Sequence, residues 1–187
     1  MNTPSHAIYN LAMWGKEKHK NDRLPVFFGA IAPDIPIFAF YAIAKLAGLP
    51  DSYIWRDLYF QGWVQDLLAP FHAIPLIGLG LAIAFRRQAR AWIAFFGSMM
   101  AHVLFDFPVH NADAHRHFFP LSDYRFISPV SYWDPEHYGS ILAPLELLSV
   151  LVLSVYLFGS VRSRVGRSLL VSVNAVYLAG CVYFYVL

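Results

Sequence analysis

The chain has 187 residues, of which 58% are hydrophobic, 17% aromatic and only 14% charged, whereas soluble domains carry about 25% charged residues. With a mean hydropathy of +0.47, this balance argues against an ordinary water-soluble enzyme and for one compact membrane-embedded unit, residues 1–187. The net charge of +2, spread over scattered positions, excludes a nucleic-acid surface, and the single cysteine, Cys181, excludes an internal disulfide or a cysteine-based zinc motif.

In chain order, "TPSHAIYN" predicts a short amphipathic helix capped by Thr3 or Ser5 and carrying His6. The basic run "KEKHKNDR" follows the apolar stretch "AIYNLAMW" instead of preceding it, which is the wrong order for a secretory signal. Residues 26–49, 67–85, 141–161 and 168–187 are each long enough, or nearly so, to span about 30 Å of hydrocarbon, and 91–105 forms a shorter fifth. None of these stretches alternates with period two, so helices and not barrel strands are expected. Lys16, Lys18, Lys20, Arg23, Arg86, Arg87, Arg90, Arg162, Arg164 and Arg167 fall on one side of these spans. The other side holds only Arg56, Arg116 and Arg125. The positive-inside rule then places the N-terminus in the cytoplasm and the C-terminus outside.

Ionisable residues inside spans cost about 2.5–3.5 kcal/mol on insertion scales, so each is a functional hypothesis. Asp34, in "GAIAPDIPIF", is bracketed by Pro33 and Pro36, which exclude regular helix there. It marks either a cavity lined by broken backbone or a surface turn with the span beginning at Ile35. His72, in "APFHAIPL", lies at the outer end of its span, as does His102 in "AHVLFDFPVH". Asp106 is four residues after His102 and shares its helix face, so the two reach one divalent ion. Their bland alternative is a His–Asp bond capping a helix end. Pro108 stops the helix near Phe107, and His110 then folds back toward the same point.

The loop 106–140 holds His110, His115, His117 and His137. His115 and His137 read as solvated loop residues, while His117 is kept as a ligand. Glu146 falls one to two turns below the outer end of the fourth span, as a base, a ligand or a buried protonated carboxyl. There is no glycine-rich phosphate loop, no G-x-S-x-G elbow and no H-E-x-x-H.

The order "SH", "GAIAPD", an isolated histidine, then H-x-x-x-D-x-x-x-H resembles the predicted membrane-bound metal-dependent hydrolases, a bacterial inner-membrane domain family of unknown function. More distantly it is similar to zinc-dependent phospholipase C and the P1-type nucleases, all-helical enzymes that gather zinc on His, Asp and Glu from separate helices. The resemblance covers about residues 4–140, and the hairpin 141–187 adds only hydrophobicity to it. It implies His6, Asp34, His72, His102, Asp106 and His110 as metal ligands, with Asp34 bridging ions.

The expectation is therefore an all-α, polytopic bundle of four to five transmembrane helices with a His/Asp metal site between them. One or two divalent ions, zinc by the resemblance, would activate water against a phosphoester or other ester, including that of a lipid. Asp34 and Glu146 are the catalytic candidates, and His6, Asp34, His72, His102, Asp106, His110 and His117 the metal candidates. A metal-transport protein and a non-catalytic scaffold are the rival readings. One conflict is built in: a straight first span leaves Asp34 roughly 15 Å or more from the outer cluster. Asp34 joins the cluster only if the "APDIP" prolines break that span.

Overall fold

A computed structural model describes residues 1–14 and 22–185 of the chain. Lys16, Lys18 and Lys20 of the basic run lie outside the described residues. Among the described residues the chain is helical, with no strand. The helices are α1 (Thr3–Trp14), α2 (Arg23–Ile31), α3 (Ile35–Leu46), α4 (Asp51–Tyr53), α5 (Gly62–His72), α6 (Ile74–Arg86), α7 (Arg90–Asp106), α8 (Gly139–Ser160) and α9 (Arg164–Tyr185). A single π-helical turn, Ile54–Leu58, continues α4.

Among the described residues, three stretches are long and apolar enough to cross a membrane: Gly62–Arg86, Gly139–Ser160 and Arg164–Val182. Helices α2 and α3 qualify only as a pair bent by 52°. The bend falls at Ala32–Asp34, where Pro33 has no N–H to extend the α2 ladder and Pro36 opens α3 within its first turn. The expected straight span 26–49 is thus two helices with Asp34 at their joint. The expected short span 91–105 is α7, whose 17 residues cover about 25 Å. It sits at the centre of the bundle, and its buried face carries Ser98, His102 and Asp106.

Those three residues set the register of the core. They recur every fourth position and so share one face. Ser98 Oγ donates to Val26 O at 2.6 Å, and His102 Nδ1 donates to Ala30 O at 2.6 Å. Helices α2 and α7 therefore run parallel, four residues of one matched to four of the other. Helix α1 runs the opposite way: Asn10 Nδ2 donates to Ser98 Oγ at 2.8 Å, while His6 reaches Asp106 at 2.9 Å. The first turn of α1 lies at the histidine end of the bundle, and its last turn points toward the end where Asp22 pairs with Arg90 and Arg23 donates to Ser160 O.

The α2–α7 approach is close because Gly29 faces the α7 backbone. A Cβ added there would lie 2.2 Å from Phe95 O and 2.9 Å from Ser98 Cβ. Apolar clusters flank this seam: Ile77, Met99 and Val103 between α6 and α7, and Ile8, Val150, Leu157 and Tyr177 between α1, α8 and α9. A third, Phe40, Ala44, Ile54, Tyr59, Val64 and Leu68, joins α3 to α5 under the π-turn. Gly29→Ala is expected to lower stability by about 1–3 kcal/mol through overpacking. Gly97→Ala, on the same helix pair but with open space around it, is expected to be neutral or to stabilise by up to about 1 kcal/mol. Thermal melts of both variants in one detergent check the contrast.

Candidate metal centre

The centre forms where four helices and a loop meet. His6 comes from the second turn of α1, Asp34 from the α2–α3 joint, and His72 from the last residue of α5. His102 and Asp106 come from the last turns of α7. His110, His115 and His117 come from the loop that follows.

Asp106 is the hub. Its Oδ1 lies 2.9 Å from His6 Nε2 and 3.2 Å from His110 Nε2, and accepts from the Met1 ammonium at 2.6 Å. Its Oδ2 lies 3.0 Å from His102 Nε2 and 3.9 Å from His72 Nε2. Asp34 Oδ1 is 3.5 Å from His102 Nε2 and 3.7 Å from His72 Nε2. Its other oxygen, Oδ2, accepts from Thr3 Oγ1 at 2.5 Å. Three sets of groups converge closely enough to hold an ion: His6, His102 and Asp106; Asp34, His72 and His102; and His72, Asp106 and His115.

Around these groups the orientation of each ring is fixed. A carbonyl only accepts, so the bond to Ala30 O places the His102 proton on Nδ1 and turns the Nε2 lone pair toward the carboxylates. His110 Nδ1 donates to Asp113 Oδ2 at 2.9 Å, and Trp133 Nε1 donates to the same oxygen at 3.0 Å. Burial raises the Asp113 pKa, but these two bonds and the His110 charge outweigh it and hold the carboxyl below its usual range. Such histidine–carboxylate and histidine–carbonyl pairs orient imidazoles at metal sites. His6 stacks on His102 at 3.6 Å between ring centres, and His72 on His115 at 3.8 Å.

Buried polar atoms in folded proteins nearly always have a partner. Here both ring nitrogens of His72 and of His117, together with His102 Nε2 and His6 Nδ1, are buried without a hydrogen bond. Of these, His72 Nε2 and His102 Nε2 face the two carboxylates, and buried imidazole nitrogens beside carboxylates are the donor set a divalent cation requires. Burial pushes His117 down to about 4 and His115 well below its ordinary value. Both imidazoles are thus neutral near pH 7, the form that ligates.

The structure brings together His6, Asp34, His72, His102, Asp106 and His110, and it places His117 beside them at 1% exposure, against the ring of Phe107. Two expectations change. His115, expected to be solvated, is buried and stacked on His72. Asp34 keeps one oxygen facing His72 and His102 while Thr3 donates to the other, and imidazoles face both oxygens of Asp106. Glu146 is absent from the three convergent sets. Its Oε1 instead accepts from Asn2, Ser5 and Tyr177, so it is not positioned as a catalytic base. His137, read as a loop residue, pairs with Asp134 at 2.7 Å. Sequence reasoning missed Asp113 and Thr3. The only signal for Asp113 was its spacing of three from His110.

Comparison with protein-family models, with curated proteins and with solved structures gave no match for this chain.

Two outcomes are expected of purified protein. Asp106→Asn and His102→Ala should each lose most bound zinc by elemental analysis, and His115→Ala should lower the ion count or weaken binding about tenfold, whereas His137→Ala should change neither. In metal-stripped protein, the His117 pKa is about 4 when folded and about 6.5 when unfolded. Its contribution to stability is therefore complete above pH 6.5 and is lost as pH falls toward 4. Melting temperature should fall further across that window in wild type than in His117→Phe.

Proposed function

We propose that this chain is a membrane-bound, metal-dependent hydrolase that cleaves a phosphoester or other ester of a lipid or lipid-linked substrate in a bacterial inner membrane. The observation that carries the reading is the convergence of buried imidazole nitrogens on the carboxylates of Asp34 and Asp106, with both ring nitrogens of His72 left without a hydrogen bond. A purely structural cluster would satisfy those nitrogens. A bound divalent ion, zinc by the chemistry of these ligands, supplies Lewis acidity and a nucleophilic water near neutral pH.

The residues divide the remaining work. Asp106 holds the centre together by facing imidazoles with both oxygens. His6, His102 and His110 complete one side of it and His72 and His115 the other, while His117 packs behind His115 and Phe107 and belongs to none of the convergent sets. Asp34 has 13% of its side chain exposed, more than any histidine of the cluster, so it stands at the mouth. It is the carboxylate best placed to accept a proton from an attacking water, with Thr3 fixing its far oxygen.

The lipid part of the reading rests on depth. Measured along the helix axes, Asp34 lies about 16 Å from Arg23, His102 about 18 Å from Arg90, and His72 about 21 Å from Arg86. With the arginine end inside, a hydrocarbon core of about 30 Å puts the cluster in the outer half of the bilayer. Exposed Trp55, Phe60 and Trp63 on the α4–α5 segment and Tyr124 and Trp133 in the loop 107–138 lie beyond it, as an interfacial aromatic belt would. A water-soluble ester would not need a centre at that depth.

The test is hydrolysis of a chromogenic phosphodiester and of radiolabelled phospholipid in mixed micelles by zinc-loaded protein. Turnover should be abolished by chelator, restored by zinc, and reduced at least about a hundredfold in Asp34→Asn compared at matched metal occupancy. A stoichiometric zinc protein inactive on every ester offered would favour metal handling over hydrolysis.

A further inference from the structure

The C-terminal hairpin α8–α9 supplies none of the convergent ligand sets, yet it holds a buried carboxylate. Glu146 Oε1 accepts from Asn2 N at 2.9 Å, Asn2 Nδ2 at 3.3 Å, Tyr177 OH at 2.9 Å and Ser5 Oγ. The donors also touch one another: Asn2 Nδ2 lies 3.1 Å from Tyr177 OH, and Ser5 Oγ 3.3 Å from it. One turn further on, Tyr9 OH meets Ser149 Oγ, which donates to Glu146 O at 2.7 Å. Ile8 packs against Val150, Leu157 and Tyr177. Tyr177 is 7% exposed, while Leu169 and Val176 of the same helix are 61% and 72% exposed.

These contacts divide α1 into two stripes. Asn2, Ser5 and Tyr9 recur at helical spacing and face the hairpin. Thr3, His6 and Asn10 recur at the same spacing, one position on, and face Asp34, Asp106 and Ser98. The segment that carries His6 into the centre is thus fixed from behind by a carboxylate and a phenol on two other helices. All four donors converge on Oε1 of Glu146, and the carboxylate belongs to none of the convergent ligand sets.

We propose that Glu146 and Tyr177 are positioning residues of the metal centre: a clamp that locks the first turn of α1 so that His6 and Thr3 reach Asp106 and Asp34. The proposal rests on the metal-centre reading. It makes the hairpin a working part of that centre instead of an anchor.

The test uses full-length protein in detergent loaded with Co2+, with affinity measured by chelator competition and ligand environment by visible absorption. Glu146→Ala and Tyr177→Phe are expected to weaken Co2+ binding about tenfold or more, and to shift the visible bands toward those of His6→Ala. Glu146→Gln keeps a carbonyl oxygen for the same donors and should retain most of the affinity. Asn174→Ala removes a different α8–α9 link, Asn174 Nδ2 to Ser154 Oγ at 2.9 Å, and should leave affinity and spectrum unchanged. Tyr177→Phe carries the test if Glu146→Ala does not fold.

Affinities within about twofold of wild type and unchanged bands in both clamp variants would overturn the proposal, because such losses are ordinarily tenfold or more. So would an Asn174→Ala spectrum shifted as far as that of Tyr177→Phe, which would mark general loosening. Loss in Glu146→Gln as complete as in Glu146→Ala would make the carboxylate itself a ligand and overturn the positioning role. Wild type that binds no Co2+ would overturn the metal reading itself, an outcome distinct from all of these.

Discussion

Asp106 has to be neutralised where it stands. A carboxylate at 2% exposure inside an apolar bundle loses several kcal/mol of hydration that only close, well-directed positive or polar partners return. No single neighbour on its own helix suffices, so partners are brought from α1, α5, α7 and the following loop. The parallel seating of α2 on α7 orients His102 through Ala30 O, and the reversed course of α1 and the return of the chain after Pro108 deliver His6 and His110 to one oxygen of Asp106. The apolar clusters between helices are not centred on this point. They fill the space between elements whose register the polar core has already set.

That dependence explains which features were legible in the sequence. The helices were, since composition alone demands them. So was the His102–Asp106 face, because its spacing is local and its helix is continuous. The break at Asp34 was foreseeable from Pro33 and Pro36, although only as one of two alternatives. Composition could not say that a span of apparently sufficient hydropathy would be two helices bent by 52°.

What was not legible was long-range. His6 sits in an unremarkable amphipathic turn, and its partner is a hundred residues away. His115 has loop neighbours that read as solvated, and only the stacking of His72 over its ring takes it out of water. Glu146 carried the right cue, a carboxyl in a span. The cue does not distinguish a group that acts on substrate from one that accepts Asn2, Ser5 and Tyr177. The course of α1 is likewise set at long range, by a polar stripe that pairs with α7.

The bond from residues 2 and 5 to residues 146 and 177 also bears on biogenesis. Chains are made from the N-terminus at about 5–20 residues per second, so α1, α2 and α7 exist long before α9 does. The first turn of α1 gains its Glu146 partner only when α8 has emerged, and its Tyr177 partner later still. Until then His6 is tethered to the bundle by α2 and α7 alone, and the pocket around Asp106 lacks one wall. Maturation of the centre is thereby tied to completion of the last helix: a nascent or truncated chain would present its imidazoles before they are gathered, and the finished site would arise late, as a single closing event.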